Sequence, residues 1–279
     1  MKLTKQQLEI YSKPGSLTNS KNMYKTLKNF FNNNLEAKTD IYLQGSYANH
    51  TNIRGDSDVD IILEFTSIFS HNINEFSPEE QNDFHNRYTN AKHDINYYKN
   101  QVRRLLNESN YTFIEKDKCF KITEGTAINA DIVVCSSYKK FTEYPKCIEG
   151  ILIPSNPKTI SFPKLYKEKL SSKNTETNKN YKSMVRIFKN IFNYINTNST
   201  EKYANLSSHI IESVLYNVPN DYFKDSNLLE RFTSILDYLN SYENYSEMLT
   251  PDEQETVIGD NILIKIELQK FLEEIYGYM

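Results

Sequence analysis

The sequence predicts an α+β fold, with a mixed sheet-and-helix front half and an all-helical back half. Apolar runs rich in β-branched residues, such as Val59–Phe65 and Ile128–Val134, are confined to the front half. From about residue 177 onward, apolar positions recur instead with helical spacing. No Gly/Ser-rich linker separates the two patterns, so two closely packed lobes are expected in the 279 residues.

Met23, Leu27, Phe30, Phe31 and Leu35 form one stripe of a helix over 18–35. A short strand at 41–43 follows, and Gly45-Ser46 opens a turn. Val59–Phe65 reads as a buried strand. Ser77-Pro78-Glu79-Glu80 combines an N-cap, a proline in the first turn and a capping-box glutamate, so a helix starts near 78. Ile95, Tyr98, Val102, Leu105 and Leu106 organise the next helix, and strands are expected at 111–115, 119–123 and 128–134. The polar, proline-punctuated stretch 144–176 reads as an irregular crossover. Helices are expected at 178–196, 207–217, 225–241 and 258–276, with Pro219 and Pro251 marking breaks.

Composition narrows the class. Hydrophobic content of 38% and charged content of 25% fit a soluble globular chain. The opening MKLTKQQLEIYSKPGS lacks the apolar core of a signal peptide, and no apolar run approaches the roughly 20 residues of a membrane span. A cytoplasmic location is expected. Cys119, Cys135 and Cys147 show no CxxC spacing, so neither a disulfide framework nor a zinc site is expected, and Cys135 reads as a buried thiol. A net charge of −3 gives no global attraction to nucleic acid. The lysines around 164–189 read equally as a basic groove or as a solvated helix face.

The chemistry gathers in LQGSYANHTNIRGDSDVDIILEF, Leu43–Phe65. Asp56, Asp58 and Asp60 stand at every second position directly before an apolar run. On a strand, Asp58 and Asp60 share a face and repel unless a cation sits between them. Hard divalent ions such as Mg²⁺ want such oxygen ligands and keep positions open for substrate phosphates. Asp131, at the start of the run ADIVVC, supplies a third carboxylate if strands 59–65 and 128–134 are neighbours. That set suits two metal ions clamping a phosphoryl transfer. Gly45 and Ser46, after a strand and leading into a helix, offer backbone N–H groups and a hydroxyl to a phosphate.

GSYANHTNIRGDSDVDIIL resembles the signature of the polymerase-beta-like nucleotidyltransferase superfamily, and more narrowly the cGAS/DncV-like nucleotidyltransferases (CD-NTases). INADIVVC resembles their third-carboxylate strand, NKNYKSMVRIFKNIF their spine helix, and LSSHIIESVLYNVPNDYF the segment after it, with wording closest to clade E. The resemblance implies a small catalytic sheet with flanking helices joined to a C-terminal helical lobe, with the active site in the cleft between. On this basis residues 1–165 would be the nucleotidyltransferase core, with its N-terminal helix crossing to the other lobe, and 166–279 the helical lobe. It further implies that Asp58 and Asp60 hold two Mg²⁺ ions, for which Mn²⁺ substitutes, and that Asp131 helps hold one of them. Gly45, Ser46, Lys189 and Ser208 would bind triphosphate. His209 stands where relatives carry a base-stacking aromatic. Asp56 is read as a turn residue or a supporting neighbour.

The implied activity is synthesis of a cyclic di- or trinucleotide from ribonucleoside triphosphates in bacterial antiphage (CBASS) signalling, with a separate effector protein responding to the product. An RNA activator is left open. Two rivals stand beside this reading: transfer of a nucleotide to an RNA, protein or small-molecule acceptor, and a catalytically inactive nucleotide or RNA sensor.

Overall fold

A computed structural model describes residues 2–55, 58–125, 128–198 and 202–279. The chain forms two compact units, one of Ser16–Ala48 and Ser57–Leu165, the other of Met1–Gly15, Asn49–Asp56 and Tyr166–Met279.

The first unit is built on a seven-stranded sheet. Its strands are β1 (Thr39–Leu43), β2 (Val59–Asn72), β3 (Thr112–Glu115), β4 (Phe120–Glu124), β5 (Ala130–Glu143), β6 (Lys146–Ile153) and β7 (Thr159–Ser161). The order is β1-β2-β5-β4-β3, with β6 on the far half of β5 and β7 beyond it. β2 and β5 run parallel and all other pairs are antiparallel. This confirms the expected neighbourhood of the 59–65 and 128–134 runs.

Both faces of β2 are covered, which is why its apolar run is continuous rather than alternating. Ile61, Leu63 and Phe65 join a core with Met23, Leu27 and Phe31 of α2 (Thr18–Asn34) and Val102 and Leu106 of α5 (Ile95–Asn107). The opposite face carries Asp60, Ile62 and Glu64, where Ile62 packs with Cys135, Ile151 and Ile153. The helix that opens at Pro78 is present as α4 (Pro78–Arg87), and both halves of the Ser77/Glu80 capping box are formed. Between β1 and β2 lies the short α3 (Gly45–Asn49).

The stretch 144–176 is not an irregular crossover. It holds β6, β7 and α6 (Pro163–Glu176). Its prolines lie at element boundaries, with Pro163 as the first residue of α6. α6 also has almost no amphipathic stripe to read. A helix at Lys5–Tyr11, α1, was not anticipated; Thr4 caps it by accepting from the Gln7 N–H.

In the second unit, α7 (Tyr181–Asn198) buries residues around most of its circumference, Lys189 among them, as a central bundle helix must. Around it stand α1, α8 (Ser208–Asn217), α9 (Leu228–Ser241) and α10 (Ile262–Tyr276), sharing one core. Among the described residues no helix is long and apolar enough to cross a membrane.

Lys173 of α6 is buried in this core. Its ammonium donates to the Val218 carbonyl at 2.8 Å and Asn220 Oδ1 at 2.9 Å, among the rings of Tyr181, Tyr216 and Phe223. Burial lowers it from the usual 10.5 to about 8. Between those values the unfolded chain keeps a proton that the folded chain has released, so this lysine makes stability rise with pH from about 8 to 10.5. Urea unfolding of wild type against Lys173→Met across that range should show the dependence only in wild type. The variant should cost about 1–3 kcal/mol at pH 7 through the unsatisfied Val218 carbonyl.

Candidate active site

Two of the acids stand side by side. In the parallel pair, Asp60 of β2 is in register with Asp131 of β5. Parallel strands begin at the same sheet edge, so this pairing sets both carboxylates at the heads of neighbouring strands. On the other side of β5, Lys121 of β4 is in register with Asp131, and its ammonium pairs with Asp58 just ahead of β2. Alternation puts Lys121, Asp131 and Asp60 on one face of three adjacent strands. Lys121 is raised above the usual lysine range, chiefly by its hydrogen bond to Asp58. Asp56 lies outside the described residues.

Among the described residues, the buried Asp131 Oδ1 has no hydrogen-bond partner. The Cys119 thiol, which bonds to the Asp131 side chain, is pushed up to about 11 by burial first and then by Asp131. Among the described residues no three His, Cys, Asp or Glu side chains form a ready metal cluster. Asp58 is engaged by Lys121. The donor set is nonetheless all carboxylate oxygen, and one buried oxygen lacks a partner, which fits a hard divalent cation.

Gly45 lies beside these acids with a φ of 67°, and a Cβ there would overlap Asp60 Oδ2. Glycine is thus required both for the left-handed backbone and for the close approach to the carboxylate. Ser46 follows it, half-buried, in the first turn of α3.

Lys189, Ser208 and His209 belong to the other unit. Lys189 is 2% exposed and donates to the Thr51 carbonyl at 3.0 Å. Ser208 opens α8, but the preceding Ser207 caps the helix, accepting from the Ile210 N–H. His209 is exposed, and its ring stacks on Tyr166 with centroids 5.4 Å apart.

Glu212, one turn further along α8, is a buried carboxylate that sequence reasoning missed. It accepts from Thr51 Oγ1 at 2.6 Å and Asn49 Nδ2 at 3.2 Å, and Tyr166 bonds to it as well. Arg186 donates to the Ser12 and His50 carbonyls. Residues 49–51, between Ser46 and Asp58 in the chain, are therefore fixed by three charged side chains of α7 and α8. A signal existed, since Glu212 is the one acid in the apolar helix SHIIESVLYN.

Four lysines of 164–189 have partners within their own units. Lys164 pairs with Asp40 and Glu64, Lys169 with Glu253, and Lys173 and Lys189 with backbone carbonyls.

A mixed sheet with paired carboxylates at the heads of two parallel strands, beside a glycine-serine turn, is the arrangement of a nucleotidyltransferase. Residues 168–279 match the sequence profile described as the cGAS/DncV-like nucleotidyltransferase C-terminal helical domain. The cyclic UMP-AMP synthase of Rhodothermus marinus is 31% identical over 86% of this chain and 84% of its own. Cyclic nucleotide synthase CdnE01 of Staphylococcus haemolyticus is 30% identical over 94% and 92%. The solved R. marinus CdnE c-UMP-AMP synthase with Apcpp and Upnpp superimposes with a TM-score of 0.87 at 26% identity, covering 99% of this chain and 97% of that one. The chain belongs to the cGAS/DncV-like nucleotidyltransferase family.

Two substitutions test this geometry. Gly45→Ala should displace Asp60 and lower nucleotidyl transfer by about 100-fold, the scale of a small misplacement of reacting groups, as read by pyrophosphate release. Thr51→Val should cost about 1–3 kcal/mol in denaturant unfolding by removing a donor from buried Glu212, and Thr51→Ser should recover most of it.

Proposed function

We propose that the chain is a Mg²⁺-dependent synthase that joins ribonucleoside triphosphates into a cyclic di- or trinucleotide. The observation that carries this is the register pairing of Asp60 with Asp131, beside Asp58 and against Gly45. Asp58, Asp60 and Asp131 would hold two Mg²⁺ ions, which supply positive charge to the attacking and leaving oxygens. The N–H groups and hydroxyl at Gly45-Ser46 bind the donor triphosphate. His209, backed by Tyr166, offers a ring to a nucleobase.

An acceptor ribose hydroxyl attacks the donor α-phosphorus. A phosphodiester forms, the bond to the bridging oxygen breaks, and pyrophosphate leaves. A second transfer within the linear product closes the ring. The relatives named above are a cyclic UMP-AMP synthase and a cyclic nucleotide synthase, and a further one, from Elizabethkingia meningoseptica, is a cyclic dipurine nucleotide synthase. Ring formation is common to them while the bases differ. The product would act in the cytoplasm as an antiphage second messenger, switching on a separate effector protein.

Purified protein incubated with all four ribonucleoside triphosphates and Mg²⁺ or Mn²⁺ should yield a phosphatase-resistant cyclic product by mass spectrometry. Asp58→Asn/Asp60→Asn should lower turnover by about 10²–10³-fold or more while remaining folded, since it removes mutually repelling charges. Near-wild-type turnover in that variant would overturn the carboxylate assignment. Label transferred to RNA or protein instead would overturn the cyclising activity.

A further inference from the structure

We propose that Lys121 is a built-in competitor for the first divalent cation: in the metal-free protein its ammonium holds Asp58, and the ion must take that carboxylate from it. This rests on Asp58, Asp60 and Asp131 being the metal ligands.

The argument starts from charge. Asp58, Asp60 and Asp131 lie at one sheet edge, and like charges so placed destabilise a fold unless a cation offsets them. Lys121 supplies that cation from within the chain. The β4–β5 pairing places it directly across from Asp131, and it reaches past Asp131 to bond with Asp58. The two side chains are partly sheltered, Lys121 being 20% and Asp58 32% exposed. Cys119 bonds to Asp131, and Lys116 adds positive charge near that thiol. Lys121 interacts with both Asp58 and Asp131, and the carboxylate it hydrogen-bonds is the one just ahead of β2.

Backbone pairing fixes where Lys121 begins but not where its ammonium ends. Lysine carries a point charge on a flexible four-carbon stem, unlike the fixed fork of arginine. It can therefore release Asp58 without any strand moving. Competition of this kind lowers metal affinity by the strength of the ion pair, which for a partly exposed pair corresponds to about two- to fivefold.

Mn²⁺ binding is measured on the full-length, metal-free protein without nucleotide, by electron paramagnetic resonance of the free ion, with thermal melting recorded for every variant. Lys121→Met should bind Mn²⁺ about two- to fivefold more tightly than wild type. Lys121→Arg should not show this gain, and in an Asp58→Asn background Lys121→Met should add nothing. Equal or weaker binding by a folded Lys121→Met protein, or no measurable binding by either protein, overturns the proposal. Should Lys121→Met fail to fold, Lys121→Gln keeps a donor for Asp58 without the charge and is read the same way. Failure to form a cyclic product bears on the proposed activity and leaves this comparison intact. Unchanged Mn²⁺ binding removes the role of Lys121 while product formation stands.

Discussion

Repulsion among the carboxylates at the head of β2 and β5 is the constraint on which the sheet unit depends. Asp60 and Asp131 are neighbours only because β2 and β5 run parallel, so both strands start at the same edge. That pairing needs apolar cover on both faces, and it is met by α2 and α5 on one side and the Ile62–Cys135–Ile151–Ile153 cluster on the other. With hydrophobic burial holding the strands together, the charged ends can be placed where chemistry, rather than folding, requires them. Gly45 belongs to the same arrangement, because any side chain there would push against Asp60.

The helical unit solves a different problem with the same means. It buries Lys189, Glu212 and Lys173, each a group that costs several kcal/mol to desolvate unless it is well partnered. Their partners include backbone carbonyls and the side chains of Asn49, Thr51, Tyr166 and Asn220. Lys189 and Glu212 both converge on Thr51, the first on its carbonyl and the second on its hydroxyl. His50 beside it adopts a left-handed φ of 57°, uncommon outside glycine, with its carbonyl held by Arg186. The chain between Ser46 and Asp58 is thus shaped by polar contacts within the helical unit, so the buried charges there serve local precision more than stability.

Much of this was legible in the sequence where a feature is local. Ser77 and Glu80 announce their capping box because both partners lie within one turn. Val59–Phe65 and Ile128–Val134 announce buried strands by composition, and acids at or near their starts, Asp58 and Asp60 in one and Asp131 in the other, mark their heads. Lys121 was not legible: alternation gives its face, but its partner depends on β4 pairing with β5 in one register. Tyr166 behind His209, and Glu212 beneath Thr51, are likewise contacts between distant segments. The stretch 144–176 misled for a third reason. Its prolines punctuate three short elements, and α6 has no apolar stripe to set it apart from a loop.

These features together separate what the fold fixes from what it leaves adjustable. The positions of Asp60 and Asp131 follow from strand register, so changing them means changing the sheet. Asp58 and Lys121 meet through the long side chain of a lysine, so their contact can change while every strand stays put. The unpartnered Asp131 Oδ1 lies between these two cases. A buried acceptor left unsatisfied costs about 1–3 kcal/mol. Such a cost is tolerable in a metal-free protein only when the rest of the sheet is well packed. Carboxylates placed by strand register on β2 and β5 thus stand beside an ammonium whose position the register does not fix.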